Sequence, residues 1–396
     1  MDLNRTTTGG MSPTMQTYYD KKLLINARPN LVYQQYGQAI VLPKNSGKTI
    51  QFRKWTPFAA LTTALNEGVV PDGQSLEMSE VSATIDQYGG YVAVSDMLDL
   101  TALDPVINDS VELMGDQGGL SIDALTRDVL HGSTNVQYAG AKTYRHLLSA
   151  GGEEPSVLSV DEVRKAVRTL KRNKAPQFVR DGKGYYVAVV GPDTTYDLQS
   201  DSLWQDVSKY SASEQIFDGE IGKLFGVVFV ETSQAVVYRA QDLTKEHRKL
   251  TVKSASGSTV TLKETLTAEA AEALAGRMVI VGGEVLKITA ATSGASPTIT
   301  LAAAPAAALT EDMPVFPGEA GAAGSPVGAT LVFGRNAYGV IDLQGGNLKS
   351  IIKPRGSGGT ADPLDQISTI GWKVDGFAAK VLQPLWMVQI EHAISQ

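Results

Sequence analysis

The sequence predicts an α+β chain interrupted by a small inserted β-domain, and three observations carry that reading. Continuous apolar, β-branched runs at Tyr185–Val190 and Gly226–Val230 have the pattern of strands buried on both faces of a sheet. Capped helical patterns open at Asp104 and at Ser159. Between Tyr238 and Gly328 the composition turns to alternating Thr, Val and Lys separated by Ser/Gly turns, the texture of a separate set of strands. A chain of 396 residues, 43% hydrophobic and 19% charged, is long enough for two or three packed units, and its 39 glycines point to many turns.

The elements follow in chain order. Residues 1–45 mix polar tracts with isolated apolar positions such as Leu23, Leu24, Leu31, Val32 and Tyr33, without a period sustained enough to close a core. They read as an extended arm with one short helix. Residues 46–95 read as a long hairpin-like excursion: strand-like pieces at Thr49–Lys54, Ser82–Asp86 and Tyr91–Val94, with turn chemistry at Pro71-Asp72-Gly73. Arms of roughly 20 residues at about 3.3 Å each would project some 60 Å, and two strands alone are marginal in water. Such an excursion either packs on its own domain as edge strands or lies on a neighbouring subunit.

Asp104-Pro105 supplies an N-cap side chain followed by proline at the first helical position, predicting a helix over Asp104–His131 that is weakened or bent near Gly115, Gly118 and Gly119. The second helix starts at Ser159 with Glu162 completing a capping box, carries Val163, Val167 and Leu170 as its apolar stripe, and ends before Pro176. Residues 96–237 thus carry both helices and the two central strands, parts of more than one domain that residues 329–396 complete. The insert, residues 238–328, is expected to contain strands at Leu250–Thr261, Met278–Ile288 and Thr298–Leu301. Residues 329–396 rejoin the main body from Leu331, with Trp372–Ile390 as a final apolar, strand-like stretch.

No catalytic set emerges, and the reading is of a protein that is not an enzyme and has no cofactor or metal. Zero cysteines exclude disulfides, thiolate metal sites and a cysteine nucleophile. Ser46-Gly47-Lys48-Thr49 carries the end of a phosphate-binding loop, but the glycine required five positions earlier is Leu42, and Pro43 removes an amide donor. A turn entering a strand accounts for it. His131, His146, His247 and His392 lack paired metal-ligand spacing and read as scattered surface or partly buried residues. The adjacent carboxylates Glu153-Glu154 and Asp161-Glu162 do not converge on one site and read as loop and helix-start charge. Arg164, Arg168, Lys171 and Arg172 recur at helical spacing opposite the apolar stripe, forming either a solvated face or a salt-bridging surface towards a subunit or nucleic acid. Gly356-Ser357-Gly358-Gly359 lacks the lysine of a phosphate loop and reads as a turn, with Asp362-Pro363 favouring a turn start after it.

Net charge of −7, from 35 basic against 42 acidic residues, disfavours a dedicated nucleic-acid binder. Met1–Gly10 is polar, and the longest apolar run, Leu301–Leu309, is alanine-rich and broken by Pro305, so neither a secretory signal nor a membrane span is expected. Asn4-Arg5-Thr6 and Asn108-Asp109-Ser110 match the glycosylation sequon by chance on that reading.

The order of arm, excursion and Asp104 helix, followed by Gly334-Arg335-Asn336-Ala337-Tyr338-Gly339, Lys353-Pro354, Gly356-Ser357-Gly358, Asp362-Pro363-Leu364-Asp365-Gln366 and Gly371-Trp372-Lys373, resembles the major capsid family of N-four-like tailed phages, which has the Hong Kong 97-like fold. The resemblance covers nearly all of the chain outside the insert. It implies an N-terminal arm, an extended loop draped over the adjacent subunit, a peripheral domain with Asp104–His131 as its spine helix, and an axial domain. Tyr185–Val190, Gly226–Val230 and Leu331–Ile341 are expected in the axial domain, with Gly356–Gly359 in one of its loops towards the capsomer axis. It further implies self-assembly into pentamers and hexamers that close an icosahedral head shell around double-stranded DNA, held without sequence-specific binding. A virion capsid shell assembled in the bacterial host cytoplasm, a separate scaffolding protein, a portal and a decoration protein belong to the same expectation. Trp55, Phe58, Arg164, Arg168, Gly356, Gly358 and Asp362 are the candidate intersubunit contacts. An encapsulin-like compartment shell shares the fold and would differ in enclosing a cargo enzyme; an adhesion protein built on the insert would form no shell.

Overall fold

The computed structural model describes residues 31–55, 58, 62, 73–101, 106–152, 155–180, 182–205, 220–239, 241–247, 249–344, 348–357 and 362–395. The chain divides into two compact units, one running to Leu130 and taking back Tyr338–Gln383, the other made of His131–Ala337 and Pro384–Gln396.

The first unit is a sheet backed by one long helix. Its axis is the 15-residue strand β20 (Ile367–Val381), which pairs along one edge with β4 (Asp86–Ser95) and along the other with β19 (Lys349–Lys353) and then β18 (Tyr338–Leu343). Strand β1 (Gln38–Leu42) adds to β18 in parallel. The helix is α2 (Val106–His131); its Asp104-Pro105 start lies outside the described residues. The helix runs unbroken through Gly115, Gly118 and Gly119, all of which it buries. A Cβ at Gly118 would stand 3.3 Å from both Trp372 and Leu348, and Trp372 Nε1 donates to Gln117 Oε1 at 3.0 Å. The glycines expected to bend the helix instead let the Trp372 indole of β20 lie close against its backbone, and the tertiary contact outweighs their low helix propensity.

The excursion is the antiparallel pair β2 (Thr49–Trp55) and β3 (Met78–Thr84), in register from Thr49↔Thr84 to Trp55↔Met78. Its root is anchored: Leu42, Ala83, Ile85 and Ile341 form a small buried cluster with Ile50, Phe52, Leu343 and Ala378 against it. Beyond the root, among the described residues, Leu76 is 67% and Phe58 54% exposed. The expected turn residues Pro71 and Asp72 lie outside the described residues. Between β4 and the rest of the chain sits the short helix α1 (Asp96–Thr101), which has no buried residue.

The second unit is built on a sheet of β5 (Val136–Tyr138), β21 (Met387–Ala393), β17 (Val327–Phe333), β7 (Lys183–Val190), β9 (Val227–Glu231) and β8 (Glu220–Leu224), in that order, with β6 (Phe178–Arg180) on β7 and β10 (Val237–Tyr238) on β17. Val187–Val190 and Val227–Val230 are buried, as strands without a polar alternation should be. Helix α3 (Val160–Arg172) lays Val163, Ala166, Val167 and Leu170 on this sheet; α4 (Pro192–Gln199) follows β7 directly.

The expected capping box at α3 does not form. Ser159 has the extended N-cap backbone, but its side chain makes no cap bond; Asp201 Oδ2 takes the Val160 N–H at 3.0 Å from 41 residues away. Glu162 is buried and turned inward, accepting from Gln137 Nε2 and Lys165 Nζ, both at 2.7 Å. Asp201→Ala is therefore expected to cost about 1 kcal/mol in a urea denaturation, the magnitude of a lost N-cap, whereas Ser159→Ala should cost less than half of that.

The insert is a closed antiparallel barrel, β11 (Leu250–Ser256), β12 (Thr259–Leu262), β15 (Thr298–Leu301), β14 (Glu284–Ala291), β13 (Met278–Val281) and β16 (Pro314–Pro317), around a core of its own. Its first and last strands pair at Leu250↔Val315, which brings lead-in and exit together. Arg277 ties both linkers, donating to the Gln241 and Asp242 carbonyls at 3.0 and 2.8 Å and meeting Glu319 at 3.4 Å. Two of the expected strands are hairpins: Leu250–Thr261 turns at Gly257, and Met278–Ile288 turns at Gly282-Gly283, all three glycines at positive φ. Helix α5 (Ala268–Leu274), whose Thr267 side chain caps the Ala270 N–H at 3.2 Å, was not anticipated.

Two expected placements change. Leu331–Ile341 is divided at the turn Gly334–Ala337, β17 belonging to the second unit and β18 to the first. The Trp372–Ile390 stretch is likewise two strands in two sheets, β20 and β21. Each of the resembling glycines at this crossing meets a different neighbour: a Cβ on Gly334 would stand 2.5 Å from the Pro176 carbonyl, and one on Gly339 would press on the Phe52 ring at 2.9 Å.

Candidate assembly surfaces

The residues singled out from sequence fall in three separate places. Trp55 ends β2 opposite Met78, its side chain lying outside the described residues, and Phe58 is exposed just beyond it. Arg164 and Arg168 share the exposed face of α3. Arg164 pairs with Asp161 at 2.9 Å and stands over the exposed Phe225 ring at 5.4 Å; Arg168 makes no ion pair among the described residues. Lys171 and Arg172 continue that face, so the four cations at helical spacing share one exposed basic surface.

Gly356 and Asp362 belong to the connection between β19 and β20, in the first unit; Gly358 lies outside the described residues. This places Gly356 in the unit of the sheet carrying α2, where the expectation put it with the sheet of β7, β9 and β17; Gly359 also lies outside the described residues. Gly356 has φ +83°, a backbone only glycine takes without strain. Asp362 is committed within its own loop, Oδ1 accepting from the Gln366 N–H at 3.1 Å and Oδ2 from the Ile367 N–H at 2.8 Å. Arg355 beside the turn pairs with Asp99 of α1.

Around this turn lies a surface that sequence reasoning missed. Met97, Leu98 and Leu100 of α1, with Tyr91, Leu364 and Ile367, are all large, apolar and exposed, from 46% at Ile367 to 75% at Tyr91 and Leu364. Scattered exposed apolar residues are ordinary on a monomer, whereas a group gathered at one end of a sheet marks a surface that another molecule covers. The six residues come from three segments, none with helical or strand period, so no sequence signal joined them. Next to it, on the face of β4, β20 and β19 that points away from Trp372, Gly89 and Gly371 leave a trough of about 500 Å³ walled by Tyr91, Ile351 and Lys353.

In the second unit Arg145 forks onto Glu391 with bonds of 2.7 and 2.6 Å and stacks over Tyr238 at 3.5 Å. His392, expected at or near the surface, is fully buried; its Nδ1 faces the Ala393 carbonyl at 3.2 Å, its Nε2 faces Thr330 Oγ1 at 3.1 Å, and burial pushes its pKa down to about 4. Glu153 and Glu154 lie outside the described residues. Among the described residues no three His, Asp or Glu side chains gather to hold a metal, and no helix is long and apolar enough to cross a membrane.

The chain matches the "Capsid of Ralstonia phage GP4" with a TM-score of 0.53 at 12% identity, over 92% of this chain and 93% of that one. It also matches the "Cyanophage Pam1 capsid asymmetric unit" with a TM-score of 0.52 at 11% identity, over 100% of this chain and 96% of that one. At such identities the likeness establishes the fold, the Hong Kong 97-like capsid fold with mixed helices and sheets. No curated protein sequence matches the chain. The family model described as "Phage capsid protein" matches residues 34–378. The chain belongs to the phage capsid protein family.

Proposed function

We propose that this capsid protein is the subunit whose copies form pentamers and hexamers and close an icosahedral head shell around double-stranded DNA, enclosing the DNA without reading its sequence. The β2–β3 hairpin carries the reading. Its root is fixed in the first unit while its distal part leaves Leu76, Met78 and Phe58 bare, and two strands alone do not stay ordered in water. A neighbouring copy is the covering surface. The trough over Gly89 and Gly371 suits it, because Tyr91 and Ile351 offer apolar walls to Leu76 and Met78 while Lys353 meets the acidic Glu77. In this scheme the first unit is the peripheral domain with α2 as its spine, and the second is the axial domain carrying the barrel as an outer, decoration-like insert. The α3 basic face makes salt-dependent contacts between subunits. A scaffolding protein, a portal and a decoration protein would act with it during assembly in the host cytoplasm.

Electron microscopy of the purified chain is expected to show closed shells. A chain in which residues 49–84 are replaced by a short linker should yield none. Monomers only, under every condition in which the chain is folded, would exclude the reading; shells holding a cargo enzyme in place of DNA would turn it to a compartment protein.

A further inference from the structure

The root of the N-terminal segment is held by both backbone groups of one residue, Tyr33. Tyr33 is buried, its N–H donates to Asp123 Oδ1 at 2.7 Å, and its carbonyl accepts from the Tyr338 hydroxyl. Asp123 sits on the inner face of α2 and Tyr338 opens β18, so the chain at Tyr33 is clamped between helix and sheet just before the short helical turn Gln34–Tyr36. The next residues are fitted as closely: a Cβ on Gly37 would stand 2.5 Å from Val340 and 2.8 Å from the Tyr338 ring. Asp123 is wholly buried, and its second oxygen, Oδ2, has no hydrogen-bond partner. A carboxylate with one oxygen unpartnered away from water is costly in its charged form and cheap in its neutral form.

We propose that Asp123 and Tyr338 form a proton-sensitive latch on the Leu31–Gly37 root of the N-terminal segment, tight while the Asp123 carboxyl is neutral and loosened when it ionises. The ionisable groups facing the carboxyl are Tyr33 from the root, Tyr338 from β18 and Arg127 from the next turn of α2; around them, Asp128 acts on Tyr33 and pairs with Arg127, and Tyr36 acts on Tyr338. Burial pushes the Tyr33 and Tyr338 phenols well above their ordinary range, so neither ionises near neutrality. Burial likewise pushes Asp123 up from 3.8 to about 6, against the pull of the root's amides and of Arg127. The sign follows from linkage. With the root released the carboxyl meets water and ionises at its ordinary value, so the latched state is fully favoured below that value and loses its advantage as pH rises through about 6. Nothing in this depends on the capsid reading, but in a shell it would make the departure point of each arm responsive to acidity.

Hydrogen exchange of the Tyr33 amide, expressed as protection relative to an unstructured chain at the same pH, reads the latch directly. Protection is expected to fall about tenfold from pH 5 to pH 8 in the native chain. Asp123→Asn keeps an oxygen for the Tyr33 amide without a titratable charge, and its protection should be the same at both pH values. Tyr338→Phe should lower protection at both and leave the pH dependence in place. A flat profile in the native chain, or an undiminished pH dependence in Asp123→Asn, would overturn the proton dependence. Unchanged protection in Tyr338→Phe would overturn the second arm of the latch.

Discussion

Arg145→Ala is expected to destabilise the second unit by about 3 kcal/mol, the low end of the range for removing one partner of a buried ion pair, because Glu391 is buried whereas the Arg145 side chain is 33% exposed. Glu391 is 1% exposed and lies in the middle of β21, between β5 and β17. Its charge is balanced by the Arg145 fork, and Gln389 Nε2 adds a bond to Oε1 at 2.9 Å. Without the guanidinium the carboxylate stays buried with one amide donor, and the Tyr238 ring loses the cation stacked on it. Most of the loss belongs to the stranded charge, so the double variant Arg145→Met, Glu391→Leu should recover the larger part of it. Urea denaturation followed by tryptophan emission, with Trp204 and Trp386 packed against the core of this unit, checks both statements. A single variant within 1 kcal/mol of the native chain would mean that the pair is screened by water.

The contrast between this ion pair and the strands shows what was legible in the sequence. Val187–Val190 and Val227–Val230 announce burial on both faces by composition alone, and α3 announces its apolar stripe by spacing. Each is a local pattern. Arg145 and Glu391 are 246 residues apart, and Asp201 caps α3 from 41 residues away; neither side chain differs in sequence from a solvated charge. Turns are less legible. Gly282-Gly283 sits in a strand-like run and makes a hairpin, and Gly118, a weak helix former, is the seat of Trp372. A glycine states that something comes close or turns, without stating which. The assembly surfaces were legible only in part: the α3 basic face has a period, whereas the Met97, Leu98, Leu100 and Leu364 surface is joined by β4–β20 pairing, which no local pattern records.

His392→Gln is expected to remove most of the acid sensitivity of the second unit. In the native chain the imidazole is sealed beneath Gly328, where a Cβ would stand 2.6 Å from its Cε1, and it is satisfied as a neutral ring: Nδ1–H donates to the Ala393 carbonyl while Nε2 accepts from Thr330. Burial, the largest influence, lowers its pKa from 6.5 to about 4, and the bond to the Ala393 carbonyl and then the charge of Asp197 offset this only in part. A histidine lowered in the folded state stabilises fully above its unfolded value, and that stability is lost as pH falls from about 6.5 towards 4. At about 1.4 kcal/mol per unit the loss reaches about 3 kcal/mol by pH 4. Asp123 works in the opposite sense over an overlapping range, since its raised pKa favours the folded first unit in acid. The difference in urea midpoint between the native chain and His392→Gln, taken at each pH from 7 to 4, cancels the Asp123 contribution and isolates the imidazole. That difference should shrink or reverse as the solution is acidified; a constant difference would mean that water reaches the ring and that it titrates in the folded chain as it does in the unfolded one.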